Sequence, residues 1–257
     1  MAESLSATSV DLHDKGLRML ARKIAARAVL RMAHELVGPI QPARRVVRET
    51  LGDPFRGELD EDTTLENILG KEFPDPEDWV SARRETRRTQ VVLMMDTSLS
   101  MSGRNLALAA VAAAVLAFSV KSEDLAVVAF ESSAKVLTRL GDKDAPTHVV
   151  EQLLSQAARG FTNIEDALAV GRRELARGDN PRRVGLLITD GVFTAGGDPM
   201  PEAARFPRLF VLLTEDYIMD ADLCARMARA SHGTVVRVSG YSDLPRTMLR
   251  VVTRLLR

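Results

Sequence analysis

From about Gln90 to the C-terminus the chain alternates short apolar runs with helical patterns, an alternation that limits it to an α/β sheet with helices on both faces. Val91-Val92-Leu93-Met94-Met95 and Val184-Gly185-Leu186-Leu187-Ile188 contain no polar side chain, as expected of strands buried on both sides. Six strands are expected, at Gln90–Met95, Leu125–Phe130, Lys135–Leu140, Val184–Ile188, Leu209–Thr214 and Thr234–Val238. The short link Glu131-Ser132-Ser133-Ala134 makes the second and third a hairpin, which puts one antiparallel edge strand on a mostly parallel sheet. Helices are expected at Asn105–Val120, Thr147–Gln156, Ile164–Arg177, Ala221–Ser231 and Leu244–Leu256, the last capped by Ser242 or Asp243 with Pro245 in its first turn. The fold class is therefore doubly wound α/β, and ligands of such sheets bind beyond the carboxyl ends of the strands.

Polar residues gather at those ends. The first strand runs into Asp96-Thr97-Ser98-Leu99-Ser100, a carboxylate and two hydroxyls at alternating positions. The strand Val184–Ile188 runs into Thr189-Asp190-Gly191, and Gly160-Phe161-Thr162-Asn163 offers another hydroxyl just before a helical pattern. Small neutral oxygens beside few acids suit a hard divalent cation better than they suit a nucleophile. The alternative is structural: Ser100, Ser102 and Asn105 as helix-capping residues, Asp190-Gly191 as a turn, and Thr162 as the cap of its helix.

Asp-x-Ser-x-Ser, a Thr in a later loop and an Asp followed by Gly resemble the metal-ion-dependent adhesion site of von Willebrand factor A domains. Asp96, Ser98, Ser100, Thr162 and Asp190 fill its positions in the family's order, and the likeness covers residues 89 to 257. The resemblance implies the Rossmann-like von Willebrand architecture and a bound Mg²⁺, or Mn²⁺ or Ca²⁺. Ser98, Ser100 and Thr162 would coordinate directly and Asp96 and Asp190 largely through water. A Glu or Asp of a partner protein would be the last ligand. Bacterial intracellular members are associated with MoxR-type AAA+ ATPases or resemble the corresponding domain of magnesium-chelatase subunits. Lacking an ATPase motif, this chain would serve such an ATPase in trans, as a non-enzymatic adaptor. The competing reading is a metal-dependent hydrolase using the same site, with no obvious general base near it.

Residues 1–88 are expected to be a helical extension and linker to the domain at 89–257. Leu12–Val37 has a helical pattern ended by Gly38-Pro39, with Leu17, Leu20, Ile24, Ala28 and Met32 on one side. Gly57 to Leu69 is expected to turn into a short helix capped by Thr63 or Thr64, and Phe73-Pro74-Asp75-Pro76 breaks the chain. Arg83, Arg84, Arg87 and Arg88 form a basic linker run.

Composition narrows the function further. Lys and Arg total 35, as do Asp and Glu, so no net basic charge points to nucleic acid. One cysteine, Cys224, allows no internal disulfide and is expected in the core of a cytoplasmic protein. No secretory leader is evident, and the apolar stretch Leu106–Phe118 is shorter than the about 20 residues of a membrane span. Neither a phosphate-binding Gly-rich loop nor a Gly-x-Ser-x-Gly elbow occurs, and His13, His148 and His232 stand isolated.

Overall fold

A computed structural model describes residues 15–37, 44–50, 58–86, 88–101, 103–156, 160–215, 218–240 and 243–256. The chain divides into two compact units, residues 1–40 with 88–255 and residues 41–87 with 256–257. Helix α1 (Lys15–Val37) belongs to the first.

The smaller unit holds β1 (Arg44–Thr50), β2 (Glu58–Leu59), α2 (Glu61–Ile68) and β3 (Val80–Thr86). Its strands form an antiparallel sheet in the order β1-β3-β2, with Arg44 opposite Thr86 and Thr50 opposite Val80. No strand was expected before residue 90. Arg83, expected in a linker, is a strand residue whose guanidinium meets Glu49 across the ladder at 3.1 Å. Asp60, not Thr63 or Thr64, caps α2 by accepting the Thr63 N–H at 3.1 Å, while buried Thr64 accepts the Val80 N–H with its hydroxyl. Arg48 binds Asp60, and that hydrogen bond is the main reason its carboxyl lies below the usual carboxylate range.

The larger unit continues with β4 (Gln90–Asp96), α3 (Arg104–Ser119), β5 (Leu125–Phe130), β6 (Ala134–Thr138), α4 (Pro146–Ser155) and α5 (Ile164–Ala176). Then come β7 (Arg183–Thr189), the short α6 (Met200–Ala203), β8 (Leu209–Thr214), α7 (Ala221–Ala230), β9 (Val235–Val238) and α8 (Leu244–Leu256). The six strands run in the order β6-β5-β4-β7-β8-β9, all parallel except β6, which pairs antiparallel with β5. The doubly wound sheet with its antiparallel edge is as expected, with element ends within a few residues. Ser102 and Ser242, two candidate caps, lie outside the described residues, as does Arg87.

β4 is buried along its whole length. Val92 and Met94 join a core with Leu168 of α5 and Met227 of α7, and by strand alternation Val91, Leu93 and Met95 fill the opposite face. Gly171 lets α5 lie close on β4, since a Cβ there would sit 2.4 Å from the Met94 sulfur. The alanine-rich α3 packs against α1 and α4. The face of α1 that is buried carries Ala26, Val29 and Ala33, not the expected Ile24, Ala28 and Met32, which are exposed. Small side chains let two helix backbones approach, and the His34 ring then meets Phe118 edge-on at 6.0 Å.

Candidate metal centre

After β4 the chain crosses to β5 on one side, and β7 adds to the other, so the sheet changes direction between β4 and β7. Met95 lies opposite Ile188 in that parallel pair, which brings Asp96 and the Thr189-Asp190 step to the same carboxyl edge.

Asp96 is fully buried at the base of the site. Its Oδ2 accepts the Thr189 hydroxyl at 2.7 Å and its Oδ1 accepts the Ser98 N–H at 2.9 Å. Burial pushes its carboxyl up to about 6; the bonds from Ser98 and Thr189 oppose the shift, and the neighbouring Asp190 charge adds to it. Between the motif positions, Thr97 is stapled to β5: its N–H and its hydroxyl both donate to the Phe130 carbonyl, at 2.8 and 3.0 Å. A 3₁₀ turn over Leu99–Met101 then brings the Ser98 and Ser100 hydroxyl oxygens within 3.1 Å of each other. Gly103, at φ +68°, is the N-cap of α3, so Ser100 is not the cap residue of that helix.

Thr162 is held by its backbone. Its N–H donates to the Thr194 hydroxyl at 2.9 Å, and its carbonyl accepts from the N–H groups of Thr194 and Ala195 at 2.9 and 3.1 Å. The cap of α5 is Asn163, which accepts the Asp166 N–H at 3.0 Å, so the Thr162 hydroxyl is not the cap considered above.

Asp190 is buried, and its Oδ1 accepts the Val192 N–H at 2.9 Å. Its Oδ2, equally buried, has no hydrogen-bond partner. The loop is pinned by the Asp220 N–H to the Asp190 carbonyl at 3.0 Å. Gly191 follows at φ +84°, where a Cβ would lie 2.6 Å from the Asp220 carbonyl oxygen and 2.7 Å from the Cys224 sulfur. Cys224 is the core residue expected; burial, then the charges of Asp220 and Asp190, push its thiol up to about 12.

Ser98, Ser100, Thr162 and Asp190 line one cleft of about 330 Å³, with Leu99, Phe161 and Ile218 among its walls. Asp96 lies beneath and is joined to them through Ser98 and Thr189. The donor set is three hydroxyls and two carboxylates, one of them with an unanswered oxygen, which suits a hard cation. Among the described residues no group of three or more His, Cys, Asp or Glu side chains could hold a metal. Sequence reasoning did not assign Thr189 and Thr194; the only signal was a hydroxyl beside Asp190 and another two residues past Val192.

Comparison with known proteins agrees with this architecture. The family model described as "VWA domain containing CoxE-like protein" matches residues 25–205. No curated protein matches the sequence significantly. Among solved structures, BatB from Bacteroides thetaiotaomicron superposes with a TM-score of 0.53 at 18% identity, covering 65% of this chain and 98% of that one. A von Willebrand factor type A protein from Catenulispora acidiphila gives 0.55 at 18% identity over 69% of this chain and 45% of that one. Proximal thread matrix protein 1 from the mussel byssus, with a zinc-occupied MIDAS motif, gives 0.54 at 19% identity over 65% and 48%. The match thus spans nearly all of the first and under half of the other two, and at such identities it establishes the fold. With the family match extending over most of its length, the chain belongs to the VWA domain containing CoxE-like family.

Proposed function

We propose that the chain is a metal-dependent protein-interaction module, in which Asp96, Ser98, Ser100, Thr162 and Asp190 hold a divalent cation and a partner's carboxylate completes its coordination. The observation that carries this reading is the buried, unpartnered Asp190 Oδ2 in the cleft that the Ser98 and Ser100 hydroxyls line. A buried carboxylate oxygen without a donor is unfavourable by a few kcal/mol or more, and a cation removes that penalty. Mg²⁺ is the expected ion, with Mn²⁺ or Ca²⁺ as substitutes. Held mainly by neutral hydroxyls, it would supply an electrophilic face for one incoming carboxylate. The chain's own residues do the positioning. Asp96 orients the Ser98 backbone and the Thr189 hydroxyl, and Thr194 fixes the backbone of Thr162.

The partner is another protein that presents a Glu or Asp carboxylate, and membership of the CoxE-like family favours a MoxR-type AAA+ ATPase or a chelatase-like complex acting in trans. Binding rather than catalysis is proposed. Among the described residues lining the cleft Asp190 is the one ionisable side chain and is assigned to the cation, so none of those residues is a free general base for the hydrolase reading. Nucleic acid is not the partner proposed, given the balanced charge. Among the described residues no helix is long and apolar enough to cross a membrane, and a cytoplasmic location is part of the proposal. Calorimetry with Mg²⁺ and Mn²⁺ on the wild type and on Asp96→Ala tests the site. Saturable binding lost in the variant supports it; equal binding in both refutes it. Co-purification of a MoxR-type ATPase in Mg²⁺ but not in EDTA tests the partner.

A further inference from the structure

The walls of the same cleft are apolar and turned to solvent. Leu99, Phe161 and Ile218 stand there 66%, 66% and 68% exposed. Two of them follow from the spacing of the site. Leu99 separates the two serine hydroxyls and Phe161 precedes Thr162. Three large apolar side chains left in water round one polar floor mark an interaction surface. The described residues lining the cleft include no lysine, arginine or histidine.

We propose that the segment this cleft accepts carries a single Asp or Glu flanked by large apolar residues, so that the carboxylate reaches the floor while its neighbours pack on Leu99, Phe161 and Ile218. The inference rests on the metal reading above and adds the local chemistry of the partner. A cation held by two carboxylates and neutral hydroxyls attracts an anion. Against Leu99, Phe161 and Ile218 the further charges of an acidic tract find nothing to pair with, and desolvating an unpaired charge is unfavourable. Apolar neighbours instead remove three exposed side chains from water. One acid in an apolar setting is therefore selected over an acidic cluster and over an isolated acid in a polar one.

The test uses the full chain in millimolar Mg²⁺ with four fluorescent peptides in a common Gly/Ser frame, centred on Leu-Glu-Phe, Ser-Glu-Ser, Glu-Glu-Glu and Leu-Gln-Phe. Anisotropy titrations are expected to give the Leu-Glu-Phe peptide an advantage of at least about tenfold over the other three, lost in EDTA. Phe161→Ser and Ile218→Ser are each expected to erase that advantage while the Mg²⁺-induced rise in Tm persists. That persistence separates a damaged wall from a damaged fold. If Ser-Glu-Ser or Glu-Glu-Glu binds equally well, or no peptide binds, while Mg²⁺ still raises Tm, this inference falls and the metal reading stands. A wild type that shows no Mg²⁺ response removes both. Mg²⁺-dependent self-association of the chain, lost in Ile218→Ser, would assign the walls to a second copy and overturn the proposal.

Discussion

Replacing Asp190 by Asn alters one atom of the site and separates its energetics from its geometry. Oδ1 keeps accepting the Val192 N–H, whereas the partnerless Oδ2 becomes a neutral amide nitrogen. A buried neutral group without a partner is unfavourable by about 1–3 kcal/mol and a charged one by more, so the exchange stabilises the metal-free protein by about 1–2 kcal/mol. Loss of the charge also relieves buried Asp96, whose ionisation Asp190 opposes. For a chain of this size each kcal/mol moves Tm by about 2–4 °C, so Asp190→Asn should melt about 2–8 °C above the wild type in EDTA. At ten times its Kd a ligand stabilises the native state by about 1.4 kcal/mol, which Mg²⁺ supplies to the wild type and not to the variant. Scanning calorimetry of both proteins, with EDTA and with excess Mg²⁺, should show the gap narrow or reverse. A variant that melts below the wild type in EDTA would mean that Oδ2 is already satisfied. One that keeps the full Mg²⁺ response would mean that Asp190 holds no cation.

Gly191→Ala combines a left-handed backbone with contacts of 2.6 and 2.7 Å to the Asp220 oxygen and the Cys224 sulfur, and urea unfolding should register a loss of about 2–4 kcal/mol. Asp96, raised from 3.8 to about 6 in the metal-free fold, contributes stability that is full below pH 4 and lost as pH rises through 6. Urea titrations in EDTA should therefore find the stability difference, wild type minus Asp96→Asn, falling by about 3 kcal/mol between pH 4 and 7; a flat difference would contradict the burial argument. Ala33→Arg puts a long cation into the fully buried seam of α1 and should lower stability by about 3 kcal/mol or more, read as a fall in the urea midpoint.

The larger sheet was legible because its central strands are buried on both faces, which leaves runs such as Val91–Met95 without a polar residue. Asp96 and Asp190 stood out as candidates for the same reason: an acid at the end of such a run is conspicuous. The smaller sheet was not. Arg44-Arg45-Val46-Val47-Arg48-Glu49-Thr50 lacks an apolar alternation, and its strand character comes from a ladder with β3, thirty and more residues away. The cap of α2 was misread because Thr63 and Thr64 are good cap types, yet Asp60 is three residues ahead of the Thr63 N–H and also binds Arg48. The face of α1 was misread because periodicity ranks Ile24 and Met32 above Ala26 and Ala33, whereas a close helix–helix seam selects for small volume. Thr189 escaped because its role is a bond to Asp96, ninety-three residues back.

The smaller unit interrupts the larger one between α1 and β4, so its chain both leaves from and returns to the same body. It is tied to its host at both ends of the insertion, a handle rather than a tail in the order of the chain. Loop-closure entropy grows by only about 0.6 kcal/mol per doubling of length, so the host is nearly indifferent to how much chain the handle contains. Its sequence can therefore diverge, lengthen or be exchanged while α1 stays in its seam against α3. A pull on the handle, by contrast, is shared between two anchors, one of which is the strand that ends in Asp96.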